Sequence, residues 1–338
     1  MLKIGTDNGM GLVRYILSIA VLIAHFNYIT GADYFFPVSS YHAVGGFFAL
    51  SGFLVYQSYE KSGKFSYFIK RRALKIMPPY LFIVLTCAFL LGFTIHPHDW
   101  ESYFSVDWLK YVGANITFLN FLHPSLKDVF DGQAINGSLW TIKIEWLLYI
   151  SVPIVVWIIN KFSIKKEYVF FIILYVCSAL YRIVFLWLYD LRGLEIYSIL
   201  SRQIFGQLCY FYTGVMIFKY YEYFRRKIIP VIIIAVFMIA ISQINNWMGI
   251  FCEPLGVSVL TIGVSMSLRG WLSIFNKNNA SYEIYLFHMP VIQLIWSYRE
   301  KFHLDINYAF VLSITLTIAI AFICWFCLDK PILNHKKR

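Results

Sequence analysis

The chain has 338 residues, of which 59% are hydrophobic, 20% aromatic and only 14% charged, and its formal net charge is +11. A soluble domain carries about 25% charged residues, so too few polar side chains are present to cover a water-facing surface, and the composition excludes a soluble globular protein. The basic residues fall in short blocks between long apolar runs, which argues against nucleic acid as the partner that a positive chain otherwise suggests.

A bilayer core of about 30 Å takes about 20 apolar residues per helix. By that measure the sequence predicts an all-α, polytopic membrane bundle of about ten transmembrane helices, over 11–30, 42–59, 76–95, 138–160, 167–188, 203–220, 228–244, 250–268, 281–298 and 307–328. Lys61, Lys64, Lys70, Arg71, Arg72 and Lys75 follow the second run, Lys161, Lys165 and Lys166 the fourth, and Lys219, Arg225, Arg226 and Lys227 the sixth. Lys3 and the terminal Lys336, Lys337 and Arg338 complete the pattern. Basic blocks in alternate connections face the cytoplasm, so both termini are expected there. The first run is long enough to stay as a membrane helix and does not read as a cleaved signal. The long connection 96–137 is expected outside, as a re-entrant element, a surface-lying element or an extra span. The whole of 1–338 is expected to form one membrane-embedded domain.

Ionisable residues inside such runs are costly in lipid and mark interior, functional positions. In chain order they are Arg14, His25, Arg72 with Lys75, Lys143, Glu145, Arg182 and His288. Arg14 and His25 are eleven residues apart, which returns to the same helix face with a separation of roughly 16 Å. His25 lies about 21 Å into the first run, in the outer half, and Glu145 about 10 Å below the outer surface. The two are expected at one level, where a carboxylate raises the basicity of an imidazole and makes it a general base. Arg72 and Lys75 share a face at the inner edge of the third run and with Arg14 form a cationic mouth suited to a phosphate-bearing cytoplasmic ligand. His288 is expected in the inner half of the ninth run. Lys143 and Arg182 are expected to snorkel to the outer surface. Cys324 and Cys327 in "CWFC" share a face of the last run, so a metal or redox role is not expected from them.

Six stretches stand in register with a known family. They are "RYILSIAVLIAHF" at 14–26, "GGFFALSGFLV" at 45–55, "FIKRRALKIMPPY" at 68–80, "GSLWTIKIEWLLYISVP" at 137–153, "SYEIYLFHMPV" at 281–291 and "CWFCLDKPI" at 324–332. Together they resemble the acyltransferase 3 family of integral membrane O-acyltransferases, over essentially the whole chain. Two departures stand out: Lys75 where the family commonly has a second Arg, and Thr141 where Ser is usual. The chain is expected to lack the esterase-like domain fused to some relatives.

The resemblance implies a bacterial inner-membrane enzyme without a metal. Its donor is acetyl-CoA or a related acyl-CoA, and its acceptor a sugar hydroxyl of an envelope polysaccharide or lipid-linked glycan on the outer side. His25 and Glu145 take the catalytic roles. Arg14, Arg71, Arg72, Lys75, Ser51 and His288 are given to the donor, and Trp140 and Tyr149 to the acceptor. The competing reading of the same buried charges is a flippase or transporter of a polyanionic lipid or glycan.

Overall fold

The computed structural model describes residues 5, 7–95, 103–127 and 129–335. Lys3, Lys336, Lys337 and Arg338 of the expected cytoplasmic blocks, and 96–102 and 128 of the expected outer connection, lie outside the described residues. The fold is all-α, and each of the ten expected runs coincides with a helix. The helices are α1 (Met10–Thr30), α2 (Ser40–Ser62), α3 (Phe65–Ile95), α4 (Val106–Ile116), α5 (Trp140–Lys161), α6 (Glu167–Arg192), α7 (Glu195–Ser201) and α8 (Ile204–Lys219). They continue with α9 (Tyr221–Arg226), α10 (Ile228–Ser242), α11 (Asn246–Ser267), α12 (Ser281–Tyr298), α13 (Ile306–Cys324) and α14 (Lys330–His335). Among the described residues, 6 helices are long and apolar enough to cross a membrane. The protein is a multi-pass integral membrane protein.

Helix ends follow local chemistry. Asn245 caps α11 by accepting from the N–H groups of Trp247 and Met248, and Asp305 caps α13 by accepting from that of Asn307. Gly193, at φ +66°, closes α6 by donating its N–H to the Tyr189 carbonyl at 2.8 Å.

The chain forms two compact units. The first comprises Met1–Leu17, Tyr41–Ile69 and Ile144–Lys277. Two of its helices expose apolar side chains outward and bury narrow stripes. α6 buries only Phe171, Ser178, Ala179 and Arg182, one face of the helix, and α10 buries only Ala235 and Ser242. That pattern suits helices whose outer faces meet lipid tails. α2 and α8 approach backbone to backbone: a Cβ on Gly52 would fall 2.0 Å from the Phe211 carbonyl oxygen, and one on Gly214 would fall 2.1 Å from that of Ala49. The "GG…SG" spacing of α2 is therefore a packing requirement.

The second unit comprises Ser18–Ser40, Lys70–Lys143 and Asn278–Arg338. Its centre is α12, buried from Ser281 through Pro290 at every position but Tyr282. Neighbouring segments bond to it. Asn136 Nδ2 donates to the Leu286 carbonyl at 2.8 Å, Gln293 Nε2 to the Ala134 carbonyl at 2.9 Å, and the Tyr282 hydroxyl to the Ile76 carbonyl at 3.3 Å. α13 lends a stripe of small residues, Ala309, Ser313, Thr317 and Ala321. In the expected outer connection, α4 has 11 residues, about 16 Å of helix, too short to be a further span. The rest of the described connection runs in turns toward α12. The last expected run is interrupted by a π-helical turn, Trp325–Asp329. The extra residue in that turn distinguishes it from the continuous helix that the hydropathy predicts.

Gly52→Ala is expected to lower stability by about 1–3 kcal/mol or more, because backbone lies where the methyl group must go. Thermal unfolding in detergent checks this, with Gly113→Ala, at a site open around its Cβ position, as the neutral control.

Candidate active site

Four of the singled-out residues meet in the first unit. Glu145 lies on α5 with Tyr149 one turn further on. The Ser51 hydroxyl of α2 donates to Glu145 Oε1 at 3.0 Å, and the Tyr149 hydroxyl donates to the same oxygen. The Arg14 guanidinium is within electrostatic reach of both Glu145 and Tyr149. Ser51 and Tyr149 are buried, and Glu145 and Arg14 half-buried. A carboxylate with two hydroxyl donors and a cation nearby has its geometry fixed, which a lone glutamate in a helix does not.

In the second unit, His25 of α1 meets His288 of α12. The rings stack at 4.9 Å between centroids with 25° between planes, and His25 Nδ1 lies 2.8 Å from His288 Nε2. His288 is completely buried, and its Nδ1 lies 2.7 Å from the Tyr285 carbonyl oxygen. A carbonyl can only accept, so His288 Nδ1 carries a proton and donates. With both rings neutral, His288 Nε2 is then bare and must accept. His25 Nδ1 therefore donates to it, and His25 Nε2 is left as the basic nitrogen. The backbone of α12, through His288, sets the tautomer of His25.

These partners differ from the ones that helix depth suggests. Matching levels pair His25 with Glu145, whereas the hydrogen bonds pair His25 with His288, and Glu145 with Ser51 and Tyr149. The depths of His25 and His288, expected in opposite halves of the membrane, are corrected by their direct contact. The fault lies in assuming that every helix begins at a membrane face: Ser281 and Glu283, in the first turn of α12, are already buried. Nothing in the sequence separates His288 as a partner of His25 from His288 as a donor ligand.

On α3, Arg71 is exposed while Arg72 and Lys75 are half-buried. Lys75 is within electrostatic reach of two buried carboxyl groups, Glu283 and Asp329, which also interact with each other. Glu283 is 1% exposed and Asp329 3%. Asp329 closes the π-helical turn, so "CWFC…D" places an acid, not a thiol pair, in the interior. Cys324 and Cys327 are free thiols, the first buried and the second exposed. Among the described residues no group of three or more His, Cys, Asp or Glu side chains is placed to hold a metal.

Trp140 opens α5 half-buried. Beside it the Thr141 hydroxyl donates to the Ser138 carbonyl at 3.0 Å and lies 2.8 Å from the Tyr285 hydroxyl, so the substitution of Thr for Ser keeps the polar contact to α12. Lys143 is half-buried, with its ammonium 4.7 Å from the centre of the Phe121 ring. Arg182 does not snorkel: it is 6% exposed and sits on the buried stripe of α6.

A family model described as an acyltransferase domain matches residues 7–328, and the chain belongs to the acyltransferase 3 family. It is similar to an O-acetyl transferase of Shigella phage Sf6, at 26% identity over 348 residues, covering 97% of each chain. It is also similar to putative O-acetyltransferases of Staphylococcus aureus strains COL and N315, each at 24% identity over 367 residues, covering 96% of this chain and 56% of the relative. No solved structure matches it. The protein is a membrane O-acetyltransferase.

His288→Ala is expected to lower kcat for acetyl transfer by about tenfold to a hundredfold, the range seen when the partner that orients a metal-bound imidazole is removed. The half-saturating acetyl donor concentration should change little. His288→Gln, whose amide oxygen can still accept from His25 Nδ1, should recover part of the rate. Equal losses for the two folded variants would contradict the orienting role.

Proposed function

We propose that the protein moves an acetyl group from cytoplasmic acetyl-CoA to a sugar hydroxyl of an envelope polysaccharide or lipid-linked glycan at the outer face of the bacterial inner membrane. Both termini lie in the cytoplasm and about ten helices span the bilayer in this reading. The observation that carries the chemistry is the contact of His25 Nδ1 with His288 Nε2, whose own Nδ1 meets the Tyr285 carbonyl; with both rings neutral it leaves His25 Nε2 as the base.

His25 Nε2 accepts the proton of the sugar hydroxyl as its oxygen attacks the thioester carbonyl. The C–S bond breaks as the ester C–O bond forms, and the imidazolium returns its proton to the departing CoA sulfur. A base buried away from bulk water favours transfer to the sugar over hydrolysis of the thioester. Glu145 is the second catalytic group, fixed by Ser51 and Tyr149 with the charge of Arg14 near it. The hydroxyls of Ser51 and Tyr149 are committed to that carboxylate, which makes them positioning groups. Trp140 is retained as an acceptor contact.

Arg72, with Arg71 beside it, holds the CoA phosphates at the cytoplasmic end. Lys75 contributes less, because Glu283 and Asp329 compete for its charge and an ammonium lacks the planar fork of a guanidinium. Arg14 has the same competition from Glu145.

Release of free CoA thiol from acetyl-CoA, dependent on added glycan, is the direct assay. His25→Ala should abolish it while the protein remains monodisperse in detergent; near-normal release by that variant would overturn the assignment. A flippase would cleave no thioester in either form.

Charge-assisted phosphate contacts contribute roughly 1.5–3 kcal/mol each. Arg72→Ala should therefore weaken acetyl-CoA binding by about tenfold to a hundredfold, and should leave binding of acetyl-pantetheine, which lacks the nucleotide, nearly unchanged. Titration of both donors against both proteins checks this. Equal losses would mean that Arg72 orients its helix and does not read the phosphates.

A further inference from the structure

Within the first unit lies a second polar cluster, which the donor and the catalytic groups do not use. Arg182 of α6 donates through Nη2 to the Tyr41 hydroxyl of α2. Its guanidinium carbon lies 5.7 Å from the centre of the Tyr41 ring and 5.8 Å from that of Tyr210 on α8. The Tyr210 hydroxyl donates to Glu253 Oε1 of α11 at 3.4 Å, and His42 Nε2 is 3.2 Å from the same oxygen. Arg182 is 6% exposed, yet its Nη1 has no hydrogen-bond partner among the described residues. A buried guanidinium nitrogen left without an acceptor is costly, and this one is held in place by its aromatic and polar neighbours.

The four elements reach this cluster from the same end. Tyr41 and His42 stand in the first turn of α2, Tyr210 and Glu253 lie in the first halves of α8 and α11, and Arg182 lies in the last half of α6. In the proposed orientation all of these are outer ends, on the side where the acceptor arrives. Tyr41 is 41% exposed, and the side chains of His42 and Glu253 are 27% and 14% exposed. The cluster thus runs from an open aromatic face to a buried cation.

We propose that this cluster binds a saccharide unit of the acceptor, a refinement that rests on the O-acetyltransferase reading above. The chemistry selects a sugar over a phosphate. Arg182 is balanced by Glu253, and the carboxylate would repel an anion that approached the guanidinium. A sugar hydroxyl both donates and accepts, so one saccharide can donate to Glu253 and accept from Arg182 Nη1. The apolar C–H face of a pyranose packs on an open tyrosine ring, as other apolar faces pack on aromatic side chains. Arg182 and Tyr41 therefore help to determine which sugar is presented, and take no part in the proton transfer.

The test measures CoA thiol release by the detergent-purified protein. Acetyl-CoA is the donor, and the acceptor is envelope polysaccharide from the host bacterium, stripped of its O-acetyl groups by mild alkali. Polysaccharide and acetyl-CoA are each titrated for wild type, Arg182→Met, Glu253→Gln and Tyr41→Ala. The polysaccharide concentration at half-saturation should rise by about tenfold or more in each variant, while that of acetyl-CoA moves by less than about twofold. Tyr41→Ala removes an open ring at a helix start, so it decides between the outcomes even where Arg182→Met fails to fold. An unchanged polysaccharide half-saturation in folded Tyr41→Ala overturns the proposal and leaves the O-acetyltransferase reading standing. So does an equal rise for both substrates. A wild-type protein that releases no CoA thiol with this polysaccharide overturns both together.

Discussion

Hydrocarbon offers a polar group no partner, and this restriction governs the interior of the protein. A buried donor or acceptor that the sequence places in an apolar run is costly unless it finds its complement on another helix or on backbone. His25 and His288 bond to each other, and His288 to a carbonyl of its own helix. Glu145 gathers two hydroxyl donors. Such pairs do not merely tolerate burial. Each fixes the orientation of a group that would otherwise rotate.

That fixing is what turns composition into chemistry. The accepting oxygen of the Tyr285 carbonyl takes the His288 Nδ1 proton, and with both rings neutral His25 Nδ1 donates to His288 Nε2. In the proposed mechanism the nitrogen that remains takes the substrate proton. The arrangement requires α12 to be surrounded by protein, because its burial excludes the water that would satisfy either ring instead. The hydrogen bonds from Asn136, Gln293 and Tyr282 hold α12 in that position. The glycine-based contact of α2 with α8 serves the other unit in the same way, bringing Ser51 to the helix that carries Glu145.

Much of the fold is legible in the sequence. Long apolar runs, blocks of basic residues between them and a few ionisable residues inside them mark all ten expected helices. The six motifs point to the family and to the residues of interest. What hydropathy does not supply is azimuth and true depth. A helix that starts inside protein, as α12 does, looks the same in sequence as one that starts at a membrane face, so counting residues from the start of each run puts His25 and His288 in opposite halves although their rings touch. The same blindness sends Arg182 toward the surface, although the spacing of Phe171, Ser178 and Arg182 sets all three on one stripe of α6, its inward face. The π-helical turn at Trp325–Asp329 is a local change of register that leaves apolar periodicity almost untouched, and so is not visible either.

Catalysis in this scheme rests on His25 presenting a bare Nε2 because His288 holds its Nδ1 proton. Nitrogen-15 NMR of the protein in detergent micelles, labelled at histidine and assigned with His25→Gln and His288→Gln, reads the tautomer of each ring directly. Nδ1–H tautomers are expected for both His25 and His288 at neutral pH, with the His25 tautomer lost or mixed in His288→Ala, which leaves no acceptor for its Nδ1 proton. An Nε2–H tautomer at His25 in the unsubstituted protein would contradict the scheme, because the nitrogen assigned to take the acceptor's proton would already carry one.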